Sequence, residues 1–168
     1  MKLKRIAFDT NTVNRIADVP GLIGKILDAA ARTPFIIIEN PMVRFEIDQT
    51  GDSARREELL RVWNGLPKEK VLTHGGYYGV GLKWGGSLYG DGSDTGLSLD
   101  QARTRGRGGA RDAIIATTAA GEADVLVTDD NQLALRVRSS SAPCEVWTFE
   151  QFVSFLREPQ TREGSTSI

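Results

Sequence analysis

The chain has almost none of the residues that staple a fold covalently or bind soft metals. Its 168 residues include a single cysteine, Cys144, and a single histidine, His74. One cysteine excludes an internal disulfide and any cysteine-rich zinc site, and it fits a reducing compartment. Charge of one sign is also lacking, because the formal net charge is −1. A protein that coats nucleic acid without specificity is normally basic, so any nucleic-acid contact made here has to be local. Long apolar runs are missing too. The opening Met-Lys-Leu-Lys-Arg-Ile-Ala-Phe-Asp is charged and then only briefly apolar. It is expected to be neither a secretory signal nor a membrane span, and the expected location is the cytoplasm.

Apolar residues make up 40% of the chain and charged residues 26%, a balance that suits one folded domain with an ordinary core. Leu3 and the run 6–8 predict a buried first strand that closes at Asp9. Helical patterns follow at 12–17 and 20–32. In the second, Leu22, Ile23, Ile26, Leu27 and Ala30 recur at helical spacing, and Pro20 suits a first-turn position. Leu22 and Ile26 suit either the core or a face for a second copy or partner. The run 35–38 predicts a second strand. Asn40-Pro41 reads as an N-cap and first helical residue, opening a helix over 42–49 that carries Glu46. A further helix is expected at 53–64 and a third strand at 71–73. An alanine-rich helix at 111–121 precedes a fourth strand at 123–128, a helix at 131–137, a fifth strand at 145–148 and a helix at 150–156. Such alternation implies an α/β fold with a mainly parallel sheet, its ligands binding beyond the carboxyl ends of the strands where strand order reverses. The expected domain covers 1–158, with a glycine-rich insertion at about 74–109 and a disordered tail over 159–168.

Four acidic residues stand at the ends of these elements: Asp9, Glu46, Asp112 and Asp130. Each has a plain structural explanation. Asp9-Thr10-Asn11 and Thr128-Asp129-Asp130-Asn131 contain good helix caps, Glu46 suits a solvated helix face, and Asp112 at a helix start favours the dipole. Together they suggest an acidic cleft. Carboxylate oxygens are the donors that hard divalent cations prefer, and crowded carboxylates need a proton or a cation to relieve their repulsion. Asp9 and Asp130 converge if the first and fourth strands are neighbours.

The joint pattern resembles the PIN-domain family of nucleases, which includes the VapC-type toxins of bacterial toxin–antitoxin pairs. The resemblance runs from about Ile6 to Leu156. Asp9-Thr10-Asn11 is similar to the Asp-x-Asn or Asp-x-Ser after the family's first strand, and Pro41 with Glu46 to the Pro and Glu of the helix after its second strand. Asp112-Ala113-Ile114-Ile115-Ala116-Thr117-Thr118-Ala119 is similar to its Asp-x-x-Ile-Ala-x-x-Ala, and Thr128-Asp129-Asp130 to its Thr-x-Asp. The resemblance implies a five-stranded parallel sheet and a ribonuclease or deoxyribonuclease dependent on Mg²⁺ or Mn²⁺, with single-stranded or structured RNA favoured over duplex DNA as substrate. It further implies Asp9, Glu46, Asp112 and Asp130 as metal ligands, with Asp129 the second choice for the fourth place. An RNA substrate and, for a toxin, a cognate antitoxin are the partners it implies, whereas a homodimer is an expectation from the Leu22 and Ile26 face alone. The glycine-rich insertion is longer than in short toxins.

Around the acidic set, Asn11 and Thr128 fit roles in orienting a carboxylate or contacting a scissile phosphate. Arg103, Arg105, Arg107 and Arg111 read either as a solvated, mobile stretch loosened by Gly106, Gly108 and Gly109 or as a phosphate clamp. Tyr77, Tyr78, Trp84 and Tyr89 suit base stacking or packing of the insertion onto the domain. His74 is not required by a carboxylate mechanism. A different enzyme class also has a claim, because Phe8-Asp9-Thr10-Asn11-Thr12-Val13 resembles haloacid-dehalogenase-like phosphatases. There, however, a second Asp stands where this chain has Asn11. A non-catalytic PIN-like module that binds RNA or protein is the third reading, and the intact acidic set argues against it.

Overall fold

The computed structural model describes residues 2–71, 73–74, 87–88 and 106–157. In chain order the elements are β1 (Lys4–Phe8), α1 (Thr10–Asp18), α2 (Leu22–Arg32), β2 (Phe35–Glu39), α3 (Pro41–Asp48), α4 (Ser53–Gly65) and β3 (Lys68–Lys70). Then come β4 (Thr73–His74), β5 (Ser87–Leu88), α5 (Gly106–Glu122), β6 (Val125–Val127), α6 (Asn131–Arg138), β7 (Glu145–Trp147) and α7 (Phe149–Arg157). Five strands form one sheet in the order β3-β2-β1-β6-β7, and every pairing is parallel. The architecture is α/β, a five-stranded parallel sheet flanked by helices. Among the described residues no helix is long and apolar enough to cross a membrane.

The chain builds outward from β1 to β2 and β3 on one side, then returns to lay β6 and β7 on the other. β1 and β6 are therefore hydrogen-bonded neighbours at the point where strand order reverses. Ile6, Phe8, Ile37, Ile38 and Val125–Val127 are buried in the continuous apolar strands of a sheet covered on both faces. Phe8 meets Phe152 of α7 edge to face at 5.1 Å, which ties the central strand to the last helix. α5 is buried nearly all round from Ala113 to Ala120. Its alanines let it lie close to β1, β6, α3 and α6 at once, and Thr117 satisfies its buried hydroxyl on the Ala113 carbonyl at 2.7 Å.

Several expectations need correction. The third strand of the sheet is Lys68–Lys70, whereas Thr73–His74 pairs with Ser87–Leu88 in a separate two-stranded sheet. Pro20 is not in a helical first turn. It precedes Gly21, whose φ of 75° and the Leu22 amide bond to the Val19 carbonyl make a type II turn before α2. Leu22 and Ile26 lie in the core rather than on a free face. α5 begins at Gly106, so Gly106, Gly108 and Gly109 are helical instead of loosening a loop, and Asp112 stands in the second turn rather than at the helix start. The aromatic residues Tyr77, Tyr78, Trp84 and Tyr89 and the tail expected over 159–168 lie outside the described residues, as do Arg103 and Arg105.

Candidate active site

At the carboxyl edge of β1 and β6 a cleft of about 370 Å³ opens. It is lined by Asp9, Thr10, Asn11, Glu46, Gln49, Thr50, Arg111, Asp112, Ile115, Asp130 and Leu133. All four expected carboxylates are therefore on one cleft, contributed by four separate segments. Asn11 and Arg111 line it as well.

Asp9 follows β1 and caps α1. It is 3% exposed, and its Oδ1 accepts the Thr12 amide at 2.6 Å while its Oδ2 accepts the Thr128 hydroxyl. Capping and cleft-lining are thus the same placement: the β1–α1 junction turns the carboxylate into the helix and toward the switch point at once. Burial pushes its pKa up, against the hydrogen bonds from Thr12 and Thr128, and the charge of Asp130 adds to the rise. Glu46 projects from α3, and the Thr10 hydroxyl donates to its Oε2. Its pKa is also raised, first by desolvation, then by Asp112 and Asp9, while Arg111 opposes the shift. Asp112 in α5 is raised by desolvation, Asp130 and Asp9, with Arg136 opposing. Asp130 caps α6, its Oδ1 accepting the amides of Gln132 at 2.7 Å and Leu133 at 3.1 Å.

The two adjacent aspartates face different surroundings. Asp130 lines the cleft, whereas Asp129 does not: its Oδ2 pairs with Arg15 and its Oδ1 accepts the Phe149 amide at 3.1 Å. Thr128 is buried behind the cleft rather than lining it. Its oxygen accepts the Asp130 amide at 3.0 Å while its hydroxyl donates to Asp9, so it holds two of the cleft's carboxylate residues at once. Arg111 holds its guanidinium 5.0 Å from the centre of the Phe45 ring, with a buried Nε that has no hydrogen-bond partner. Arg107 has a described backbone only, in the first turn of α5.

Sequence reasoning missed Thr10, Gln49 and Thr50. Gln49 follows Glu46 at three residues, the spacing that shares a helix face, and caps the end of α3, so helical periodicity could have found it, whereas Thr50 lies beyond the helix and has no such signal. Nothing in the sequence pairs Thr10 with a glutamate 36 residues away.

Chemically the cleft gathers anions at a partly dry edge with Arg111 on its wall. Every candidate donor is an oxygen, the type that hard cations take. Among the described residues no three histidine, cysteine, aspartate or glutamate side chains form a ready-made cage. An open all-oxygen cleft of this kind suits an ion that keeps several of its own waters.

No protein-family model matches the chain, and no curated protein matches it. Among solved structures, the chain is similar to the crystal structure of PAE2754 from Pyrobaculum aerophilum, with 15% identity and a TM-score of 0.49 over 93% of this chain and 98% of that one.

Proposed function

We propose that the chain is a metal-dependent endoribonuclease of the PIN kind, with Asp9, Glu46, Asp112 and Asp130 as the carboxylates for Mg²⁺ or Mn²⁺. One observation carries the reading: four carboxylates from four segments line a single cleft at the topological switch point. Burial and mutual repulsion raise the pKa of three of them. A structural surface has no reason to concentrate such a cost in one cleft, while a cation site does. The RNA substrate follows from the family resemblance.

A bound divalent cation supplies Lewis acidity toward a phosphodiester and lowers the pKa of water. The residues do the rest. Asp9 is the fixed anchor, since both of its oxygens are held by hydrogen bonds. Glu46, braced by Thr10, and Asp112 supply negative charge from α3 and α5, and Asp130 closes the cleft from the start of α6. Arg111 lies on the cleft wall, where its guanidinium can donate to a phosphate oxygen. The phosphatase alternative has less support. A carboxylate 3% exposed with both oxygens engaged is better suited to anchoring than to nucleophilic attack.

The test is cleavage of a labelled single-stranded RNA in Mg²⁺, in Mn²⁺ and in EDTA, beside an Asp9→Asn variant. Cleavage that needs the metal and disappears in the variant is expected. Cleavage in EDTA, or cleavage that survives Asp9→Asn, would overturn the site. Turnover of a chromogenic phosphate ester without RNA cleavage would favour the phosphatase.

A further inference from the structure

We propose that Asp129, with Arg15, is a positioning residue for Asp130 and thereby sets the affinity of the carboxylate cleft for a divalent cation. This rests on the nuclease reading above. Asp129 lies outside the cleft, yet it is bound on both oxygens. Oδ2 pairs with Arg15 of α1, and Oδ1 accepts the Phe149 amide at the start of α7. The circuit closes through Arg15, whose guanidinium lies 4.2 Å from the centre of the Phe149 ring. Two separate elements, α1 and α7, therefore hold one residue in the segment between β6 and α6.

The neighbour of that residue is Asp130, and the cleft side of the same segment is held by Thr128, which accepts the Asp130 amide at 3.0 Å. Asp130 is thus fixed from two directions. The placement of Arg15 matters further, because α1 is the helix that Asp9 caps. Through this one short helix, the clamp fixes the segment of Asp130 relative to the segment of Asp9. Mg²⁺ tolerates little departure from octahedral geometry, and a site held loosely by fractions of an ångström loses affinity.

As a stabilising ion pair the contact is a poor investment. The Arg15 side chain is 44% exposed and that of Asp129 is 37% exposed, and exposed pairs contribute little to folding. Such a contact, worth little to folding, can still orient the carboxylate next to it.

The experiment is titration of the substrate-free protein with Mn²⁺, read by calorimetry, together with thermal melting in EDTA. Asp129→Asn keeps an acceptor for the Phe149 amide and removes the charge pair, Asp129→Ala removes both, and Arg15→Gln removes the pair from the other side. Asp129→Ala should weaken Mn²⁺ binding about tenfold, the lower end of the effect of outer partners of metal ligands. Asp129→Asn and Arg15→Gln should each weaken it less, and their combination should be no worse than either alone. Melting in EDTA should move by no more than about 3 °C. Wild-type Mn²⁺ affinity in all variants would overturn the inference, and so would a loss of affinity that tracks a loss of melting temperature in the near-isosteric Asp129→Asn. If the wild-type protein binds no Mn²⁺, the nuclease reading itself fails.

Discussion

The Thr128 hydroxyl donates to Asp9 Oδ2 while its oxygen accepts the amide of Asp130, so one buried side chain joins the ends of two neighbouring strands. Thr128→Val has almost the same shape but cannot hydrogen bond. It leaves a buried carboxylate oxygen and a backbone amide short of a partner. The variant should lose about 1–3 kcal/mol of stability, the usual cost of unsatisfied buried polar groups. Thr128→Ser should retain most of it. Urea unfolding of the three proteins side by side checks this, and equal midpoints for wild type and Thr128→Val would remove the bridge from the account.

Asp9→Asn separates stability from function. The substitution keeps an acceptor for the Thr12 amide, which Asp9 Oδ1 now serves, and removes one charge from a desolvated, repulsive set. In metal-free buffer the variant should be as stable as wild type or more so. Its RNA cleavage should fall to background. A variant that unfolds more easily in EDTA would show that the Asp9 charge is structural.

Much of this site was legible because its residues sit at element ends, where sequence signals are strongest. Asn40-Pro41 and the β1–Asp9 junction appear where cap chemistry puts them. Other features had no local signal. Lys68-Glu69-Lys70 is an edge strand with two exposed residues, so it carries no apolar pattern, and the more apolar stretch just after it drew the expectation instead. Glycines at the start of α5 read as loop because glycine has a low helix propensity, yet the helix runs from Gly106. Asp129 turns to Arg15, more than a hundred residues earlier, while Asp130 lines the cleft, and no periodicity reports such a contact.

Metal-free stability should depend on pH in an unusual sense. Asp9, Glu46 and Asp112 all have folded-state pKa values raised above their ordinary values of 3.8, 4.5 and 3.8. The folded state therefore binds these protons more tightly than the unfolded chain does. The resulting stabilisation is fully present below the ordinary values and is lost as pH rises through the folded ones. Asp124 runs the other way. The Arg5 amide bonded to its carboxylate depresses its pKa, so its contribution exists above 3.8 and is lost as pH falls through the folded value. In EDTA, stability should rise as pH is lowered from neutral toward the ordinary carboxylate values. Saturating Mn²⁺ should flatten or reverse that slope, since binding requires ionised carboxylates. Denaturant melts at several pH values, with and without the ion, give both slopes.

Arg111 allows RNA binding and cation binding to be pulled apart, because its charge has opposite consequences for the two. It lowers the pKa of Glu46 through space, lines the cleft, and rests over the Phe45 ring. A positive charge beside carboxylates repels an incoming cation, so Arg111→Gln should leave Mn²⁺ affinity of the substrate-free protein unchanged or tighter. The same charge attracts phosphate. The variant, assayed in Ca²⁺ or EDTA to prevent turnover, should bind single-stranded RNA more weakly. Its plot of log affinity against log salt should be shallower by about 0.7, the value of one phosphate contact on a single strand. Arg111→Lys should recover the salt slope but only part of the affinity, since a lysine cannot offer the paired donors of a guanidinium. If Mn²⁺ and RNA affinity fall together in Arg111→Gln, the arginine is holding α5 against Phe45 of α3, and the phosphate role is lost.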